Sequence, residues 1–114
     1  GDTVVHVAAY AGSAEVLAGL IGAGLDCDGL NKEGNTPLVM AAKAGNHECV
    51  TLLLDHGVDG DRLTPNGRGA LHEAARWGKD KAVAALVAKG ADVNLRDGGG
   101  STPLHEAVLW GKAW

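Results

Sequence analysis

The stretch "GNTPLVMAAKAGNHECVTLLLDHGVDGDRLTPN" (34–66) decides the fold, because it predicts two short helices followed by a long turn. Thr36 before Pro37 predicts a helix start. A threonine hydroxyl accepts a hydrogen bond from a free backbone N–H of the first turn, and proline fits the first helical position. Gly45 predicts the end of that helix. A second helix is predicted at about 47–55, where apolar residues recur at three- and four-residue spacing.

A turn-rich segment, "VDGDRLTPNGR" (58–68), follows the second predicted helix. Its Asp, Gly, Pro and Asn residues favour turns over helices. We expect it to project from the antiparallel helix pair as a hairpin-like finger.

The same pattern recurs along the chain with a period of 33 residues. "HEAARWGK" at 72–79 returns as "HEAVLWGK" at 105–112, and the same step joins Gly34, Gly67 and Gly100. A fixed period of roughly 20 to 50 residues is typical of proteins built from stacked repeats. The sequence therefore predicts an all-α solenoid of helix pairs.

Four segments of this pattern resemble ankyrin repeats: "TPLVMAAKAGN" (36–46), "LLLDHGVD" (52–59), "KGADVNLRD" (89–97) and "TPLHEA" (102–107). The resemblance implies an ankyrin-repeat solenoid, in which antiparallel helix pairs with projecting hairpin-like fingers form one domain. The implied units are three repeats and the first helix of a fourth, at 1–33, 34–66, 67–99 and 100–114. We expect this chain to be a fragment of a longer array, since neither end carries the polar face of a capping repeat.

At several positions the chain departs from the ankyrin pattern. Gly69 takes the place of the threonine that starts a first helix, and Val39 stands where the family prefers histidine. Gly60 replaces the valine found at Val93, and Gly19 lies inside a predicted second helix. We expect each departure to weaken local stability, by about 1 kcal/mol for a helical glycine relative to alanine.

The composition argues against several classes of function. A formal charge of −4 and a pI near 5.6 disfavour general attraction to nucleic acid or to an acidic membrane surface. No segment approaches the roughly 18 consecutive apolar residues of a transmembrane helix. Cys27 and Cys49 are too few for a disulfide framework and lack a zinc-like spacing, which favours a reducing, intracellular location, cytoplasmic or nuclear.

No motif predicts an enzyme or a cofactor site. A zinc-binding H-E-x-x-H motif needs a second histidine one helical turn on, but His72 and His105 are followed there by Arg76 and Leu109. "GGGS" (98–101) lacks the Gly-Lys-Ser/Thr of a phosphate-binding loop. The sequence therefore predicts no catalytic residue, no metal site, no cofactor and no small-molecule substrate.

The histidines have a structural interpretation instead. In ankyrin repeats the histidine of "TPLH" hydrogen-bonds locally and ties adjacent repeats together. The resemblance implies this role for His105, His6 and His72, although His72 lacks the threonine partner.

Two tryptophans are the strongest functional signal. Trp77 and Trp110 stand immediately before helix-ending glycines, where Ala11 and Ala44 occupy the equivalent positions. Core packing therefore does not require tryptophan there. In ankyrin-like stacks this position faces the concave groove, which implies that the two rings lie side by side. The alternative is that the rings only cover the fingers.

The groove positions implied by the resemblance carry six basic and two acidic side chains, although the whole chain is acidic. Tryptophan and arginine dominate the energetics of many interfaces. We therefore expect the concave face, most strongly in its C-terminal half, to bind a protein partner through an acidic segment with apolar anchors. The expected partner-binding residues are Tyr10, Lys43, Leu63, Arg68, Arg76, Trp77, Lys89, Arg96, Leu109 and Trp110.

Two other functions stay open at this point. A nucleotide or single-stranded nucleic acid would stack its bases on Trp77 and Trp110, although the acidic composition disfavours it. The chain would otherwise be a regulatory ankyrin segment of a larger enzyme or channel whose catalytic part lies outside residues 1–114. No contact with a membrane is expected.

Overall fold

The computed structural model describes the backbone of residues 3–109 and the side chains of residues 3–106. Over this range the chain forms seven α-helices and no strand, which confirms the all-α prediction. The helices are α1 (Val4–Ala11), α2 (Ala14–Gly22), α3 (Pro37–Ala44), α4 (His47–Asp55), α5 (Ala70–Arg76), α6 (Asp80–Ala88) and α7 (Pro103–Leu109).

The starts and ends of the helices follow the local chemistry of the sequence. The Thr36 hydroxyl accepts a hydrogen bond from the Val39 backbone N–H, with 3.2 Å between nitrogen and oxygen, and Pro37 is the first residue of α3. Gly45 ends α3 with a left-handed φ of 80°. By contrast, α5 starts after Gly69, which provides no side-chain cap.

The helices form two layers. α1, α3, α5 and α7 pack side by side as the first-helix layer, and α2, α4 and α6 pack side by side as the second-helix layer. The core lies between them, where Leu17, Leu53 and Leu86 are fully buried. Fully buried Ala41 and Ala42 keep α3 thin, so its neighbours approach closely.

The fingers are the segments between a second helix and the next first helix: finger 1 (24–35), finger 2 (57–68) and finger 3 (90–101). The Thr64 backbone N–H donates to the Arg68 carbonyl at 2.8 Å, and the Thr64 hydroxyl accepts from the Arg68 N–H at 3.1 Å. Gly98 N–H donates to the Gly67 carbonyl at 3.0 Å, which joins fingers 2 and 3 directly. The tip of finger 2 is therefore a closed turn that is held against finger 3.

His6 and His105 have the local hydrogen bonds expected of the ankyrin histidine. His6 Nε2 lies 2.9 Å from the Asn35 carbonyl oxygen, so Nε2 carries the ring proton and donates it to the next repeat. Its Nδ1 then accepts from the Thr3 hydroxyl, 2.7 Å away. His105 Nδ1 pairs with the Thr102 hydroxyl at 2.9 Å.

His72 keeps only half of this arrangement. Its Nε2 donates to the Ser101 carbonyl at 2.7 Å, but its buried Nδ1 has no partner, because Gly69 has no hydroxyl. The tie to the next unit is thus preserved and the local bond is lost.

Candidate interaction groove

Trp77 is held by contacts on several sides although its side chain is half exposed. It follows α5 directly, and 45% of its surface is accessible. The Lys43 Nζ lies 5.9 Å from the ring centroid and the Arg76 Cζ lies 5.4 Å from it. The indole N–H donates to Glu73 Oε2 at 3.1 Å. The ring is therefore oriented before any partner binds.

The 33-residue period explains why these groups meet. Lys43 and Arg76 occupy equivalent positions near the ends of α3 and α5, which are neighbours in the first-helix layer. Glu73 lies one turn before Trp77 on α5, so the two side chains share a face of the helix. Glu73 is only 7% exposed, and its carboxylate is satisfied in part by the indole.

A cavity of about 440 Å³ lies beside this cluster, between α1, α3 and finger 1. Val7 and Tyr10 form an exposed apolar wall, while the side chain of Met40 is buried below it. Lys43 belongs both to this cavity and to the Trp77 cluster, so the two features are continuous. The lining residues are Val7, Tyr10, Ala11, Glu33, Asn35, Met40 and Lys43.

A second cavity of about 210 Å³ lies further along, between α5, α7 and the tips of fingers 2 and 3. It holds both signs of charge. The guanidinium of Arg68 donates to Asn35 Oδ1 at 3.3 Å, which links finger 2 to finger 1. The cavity is lined by Asn66, Gly67, Arg68, His72, Glu73, Arg76, Asp97, Gly99 and Glu106.

In both cavities, finger residues and first-helix residues line the same space. We call this surface the groove. The family model for ankyrin repeats matches residues 5–97 as three copies, covering most of the groove. The chain belongs to the ankyrin-repeat family. Ankyrin repeats are generally protein-protein interaction modules, and the family is typically non-enzymatic. No curated protein gave a significant match to the sequence.

Five of the residues expected to bind a partner lie in or beside the ankyrin groove. Tyr10 and Lys43 line the first cavity, and Arg76 and Trp77 form the cluster beside it. Arg68 lines the second cavity. The N-terminal half of the groove thus carries the more apolar cavity, whereas the sequence argument favoured the C-terminal half.

Other expected residues lie elsewhere in the ankyrin stack. Lys89 caps α6 in the second-helix layer and forms an ion pair with Asp55, so it does not join the Trp77 cluster. Arg96 donates to the Gly100 carbonyl at 2.8 Å within finger 3. Leu63 is half buried in finger 2.

Two further expectations fall on the last part of the chain. The side chain of Leu109 and the whole of Trp110 lie outside the described residues, and with them the expected pairing of Trp77 and Trp110.

Three groove residues were missed by the sequence argument. Val7, Met40 and Glu73 occupy one row of equivalent positions, three residues before the row of Tyr10, Lys43 and Arg76. On a helix, residues three apart lie on the same face. The 33-residue period, combined with this three-residue helical spacing, would have identified Val7, Met40 and Glu73 from the sequence.

The thiols of this ankyrin chain are buried rather than functional groups of the groove. Cys27 and Cys49 are both free and buried. Burial raises the pKa of the Cys49 thiol, and burial is also the main reason that the pKa of Cys27 is raised. Both therefore hold their protons near neutral pH and are weak nucleophiles there.

Within residues 3–106, no group of three or more His, Cys, Asp or Glu side chains is placed to hold a metal ion. No helix in the described part of the chain is long and apolar enough to cross a membrane.

Proposed function

We propose that this ankyrin segment is a non-catalytic module that binds a protein partner in the groove, through an acidic segment of the partner with apolar anchors. The observation that carries the proposal is the Trp77 cluster. A half-exposed indole lies within 5.9 Å of two cationic groups and beside a cavity with an apolar wall.

The position of Trp77 supports a role in binding rather than in packing. The equivalent residue of the preceding repeat is Ala44, so the stack forms without a large side chain there. The bond from the indole to Glu73 and the two cation contacts already restrict the ring. A side chain that is ordered in advance loses little entropy on binding. Trp77 thus has the properties of an interface anchor.

The charges around Trp77 support an acidic partner. Lys43 and Arg76 place positive charge in the groove of a chain whose formal charge is −4. Complementary charges steer association and select among partners more than they add to affinity. We therefore expect the groove to attract an acidic segment although the chain as a whole is acidic.

A nucleic-acid ligand has less support. The cavity that contains Arg68 and Arg76 is also lined by Glu73, Asp97 and Glu106. Carboxylates close to the arginines oppose a phosphate backbone, whose binding depends on net positive charge.

The test compares Trp77→Ala with Val87→Ala, a control of equal exposure outside the groove. Trp77 is 45% exposed, and Val87, on α6, is 44% exposed. Proteins captured by the wild-type chain are purified. The affinity of each for the wild type and for the two variants is then measured by calorimetry. We expect Trp77→Ala to weaken binding roughly thirtyfold, as loss of an interface anchor does, and Val87→Ala to have little effect.

Unfolding of both variants in urea is measured in parallel. We expect Val87→Ala to unfold near the wild-type midpoint, because its side chain has few contacts to lose. Trp77→Ala should unfold at a somewhat lower midpoint, because the buried Glu73 carboxylate loses the indole N–H, but it should remain folded under the binding conditions. Equal loss of binding in the two variants, or a loss explained by unfolding of Trp77→Ala, would reject the groove as the binding surface.

A further inference from the structure

The cavity between α1 and α3 favours an apolar side chain over an acidic one. Val7 and Tyr10 expose apolar surface to it, and the buried Met40 closes it from below. Its volume of about 440 Å³ falls in the range of pockets that hold a compact apolar group. Glu33 on the finger side repels a carboxylate placed there.

Positive charge begins one helix further along the groove. Lys43 lines the cavity on its α3 side and also lies over the Trp77 ring, and Arg76 lies on the same ring from α5. The nearest carboxylate on α5, that of Glu73, already accepts a hydrogen bond from the indole. An incoming carboxylate is therefore favoured at the edge of the cavity formed by Lys43, next to the Trp77 ring, and disfavoured at the edge formed by Glu33.

The polarity of the groove thus changes in a fixed order along the stack. One row of equivalent positions changes from apolar to acidic, from Val7 and Met40 to Glu73. The adjacent row changes from aromatic to basic, from Tyr10 to Lys43. Neighbouring packed helices lie about 8–10 Å apart. An extended chain advances about 3.3 Å per residue, so three residues span one helix spacing.

Resting on the proposed function, we infer that the partner presents an extended segment with a large apolar side chain and a carboxylate three residues apart. The apolar side chain fills the cavity between α1 and α3. The carboxylate lies against Lys43 beside the Trp77 ring. The spacing follows from the typical distance between packed helices and the rise of an extended chain, and the direction of the partner chain is left to experiment.

The test uses ten-residue peptides with blocked ends, each carrying one Phe and one Glu in a Gly/Ser background. The two residues are placed one to six positions apart, in both orders, and each peptide carries a fluorescein label for anisotropy titrations. We expect the tightest binding at a spacing of three in one of the two orders. A spacing of one or six should bind about two- to fivefold more weakly, the size of a lost exposed ion pair.

Two variants locate the two ends of the peptide. We expect Tyr10→Ala to weaken the best peptide about tenfold or more, because it removes the apolar wall. Lys43→Gln should weaken it about fivefold and leave unchanged a peptide with Gln in place of Glu. Lys81→Gln, at an exposed position on α6, is the matched control and should have no effect.

The outcomes separate the spacing from the groove itself. Affinity that is lost in Trp77→Ala but does not depend on the spacing would overturn this inference and leave the proposed function standing. If no peptide binds while binding of a protein partner still depends on Trp77, the inferred spacing is likewise overturned and the proposed function stands. Peptides that bind equally to the wild type, Trp77→Ala and Lys43→Gln would overturn both.

Discussion

Gly19 lies inside α2, and a Cβ added to it would meet no heavy atom within 4 Å. Gly45 lies just after α3 with a φ of 80°, and a Cβ there would approach the Lys79 side chain to 2.8 Å. Glycine weakens a helix interior because the unfolded chain gains freedom, but it favours the left-handed residue that ends a helix. The same residue type is thus replaceable at one position and required at the other.

Replacing Gly19 with alanine should stabilise the protein by about 0.5–1 kcal/mol, since the helix gains propensity and nothing is displaced. Gly45→Ala, the matched control, should destabilise it by about 1–2 kcal/mol, because alanine is strained at a left-handed φ. The free energy of unfolding in urea measures both changes. Destabilisation by Gly19→Ala would mean that the outer face of α2 contacts something that the described residues do not show.

At the residue scale, the sequence predicted backbone roles better than side-chain contacts. The cap at Thr36 followed from residue type and position, and the missing threonine partner of His72 followed from the resemblance to ankyrin repeats. The contact of Lys43 with Trp77 did not, because the rotamer of a long side chain is set by its surroundings. For the same reason Lys89 was assigned to the groove, whereas it pairs with Asp55.

Among the helices, Asn46 forms an unusual connection. It stands at the start of α4, but its side chain does not cap that helix. Its amide instead donates to the carbonyl oxygens of Ala9 and Tyr10, at 2.8 and 2.7 Å. These are among the last carbonyls of α1, which no residue of α1 satisfies. One side chain therefore couples the end of the first helix to the second repeat.

Asn46→Ala should destabilise the protein by about 1–2 kcal/mol, because two hydrogen bonds between repeats are lost. It should also speed exchange of the α1 amide hydrogens relative to those of α5. Ser13→Ala is the control at the equivalent position: its cap to the Val16 N–H is long, at 3.4 Å, and exposed, so a smaller loss is expected. Urea denaturation and hydrogen exchange followed by mass spectrometry measure these effects, and equal losses in the two variants would contradict this role of Asn46.

Helix positions were predictable because each boundary depends on a few adjacent residues, and the helix over 47–55 was found at those residues. Contacts between repeats were less predictable. The period shows which positions are equivalent, but Asn46 and its counterpart Ser13 make different hydrogen bonds. A pattern of equivalent positions therefore predicts which residues lie close together, but not which of their atoms form hydrogen bonds.

At the scale of the molecule, the described helix pairs differ in how much of their apolar surface is covered by a neighbouring pair. Val4 is 60% exposed and Val16 is 51% exposed on the outward side of the first helix pair. Their counterparts Pro37 and Cys49 are buried against that pair. In a stacked array, stability comes from each unit and from its interfaces with neighbours. Because Val4 and Val16 are exposed, the first helix pair of the described residues has less buried apolar surface, and we expect it to open at a lower free energy.

The reaction rates of the two cysteine thiols should measure how often each part of the stack opens. Cys27 follows α2 in finger 1, whereas Cys49 is fully buried in α4 between two neighbouring helices. Burial raises the pKa of both thiols, so each reacts mainly after local or global opening. We therefore predict that, at pH 8, Cys27 reacts with a disulfide reagent at least about tenfold faster than Cys49, because a finger opens locally more often than a helix packed between two others.

The labelling rates are measured in Cys49→Ala, which reports Cys27, and in Cys27→Ala, which reports Cys49. Alanine is suited to position 49, since its counterpart Ala82 is equally buried. Denaturant should accelerate Cys49 labelling steeply, as expected for opening that exposes much surface, and Cys27 labelling only weakly. Fully unfolded samples should label at similar rates in both variants. Equal rates and equal denaturant slopes in the folded protein would show that the stack opens as a single cooperative unit, and that the exposure of Val4 and Val16 does not weaken the first helix pair.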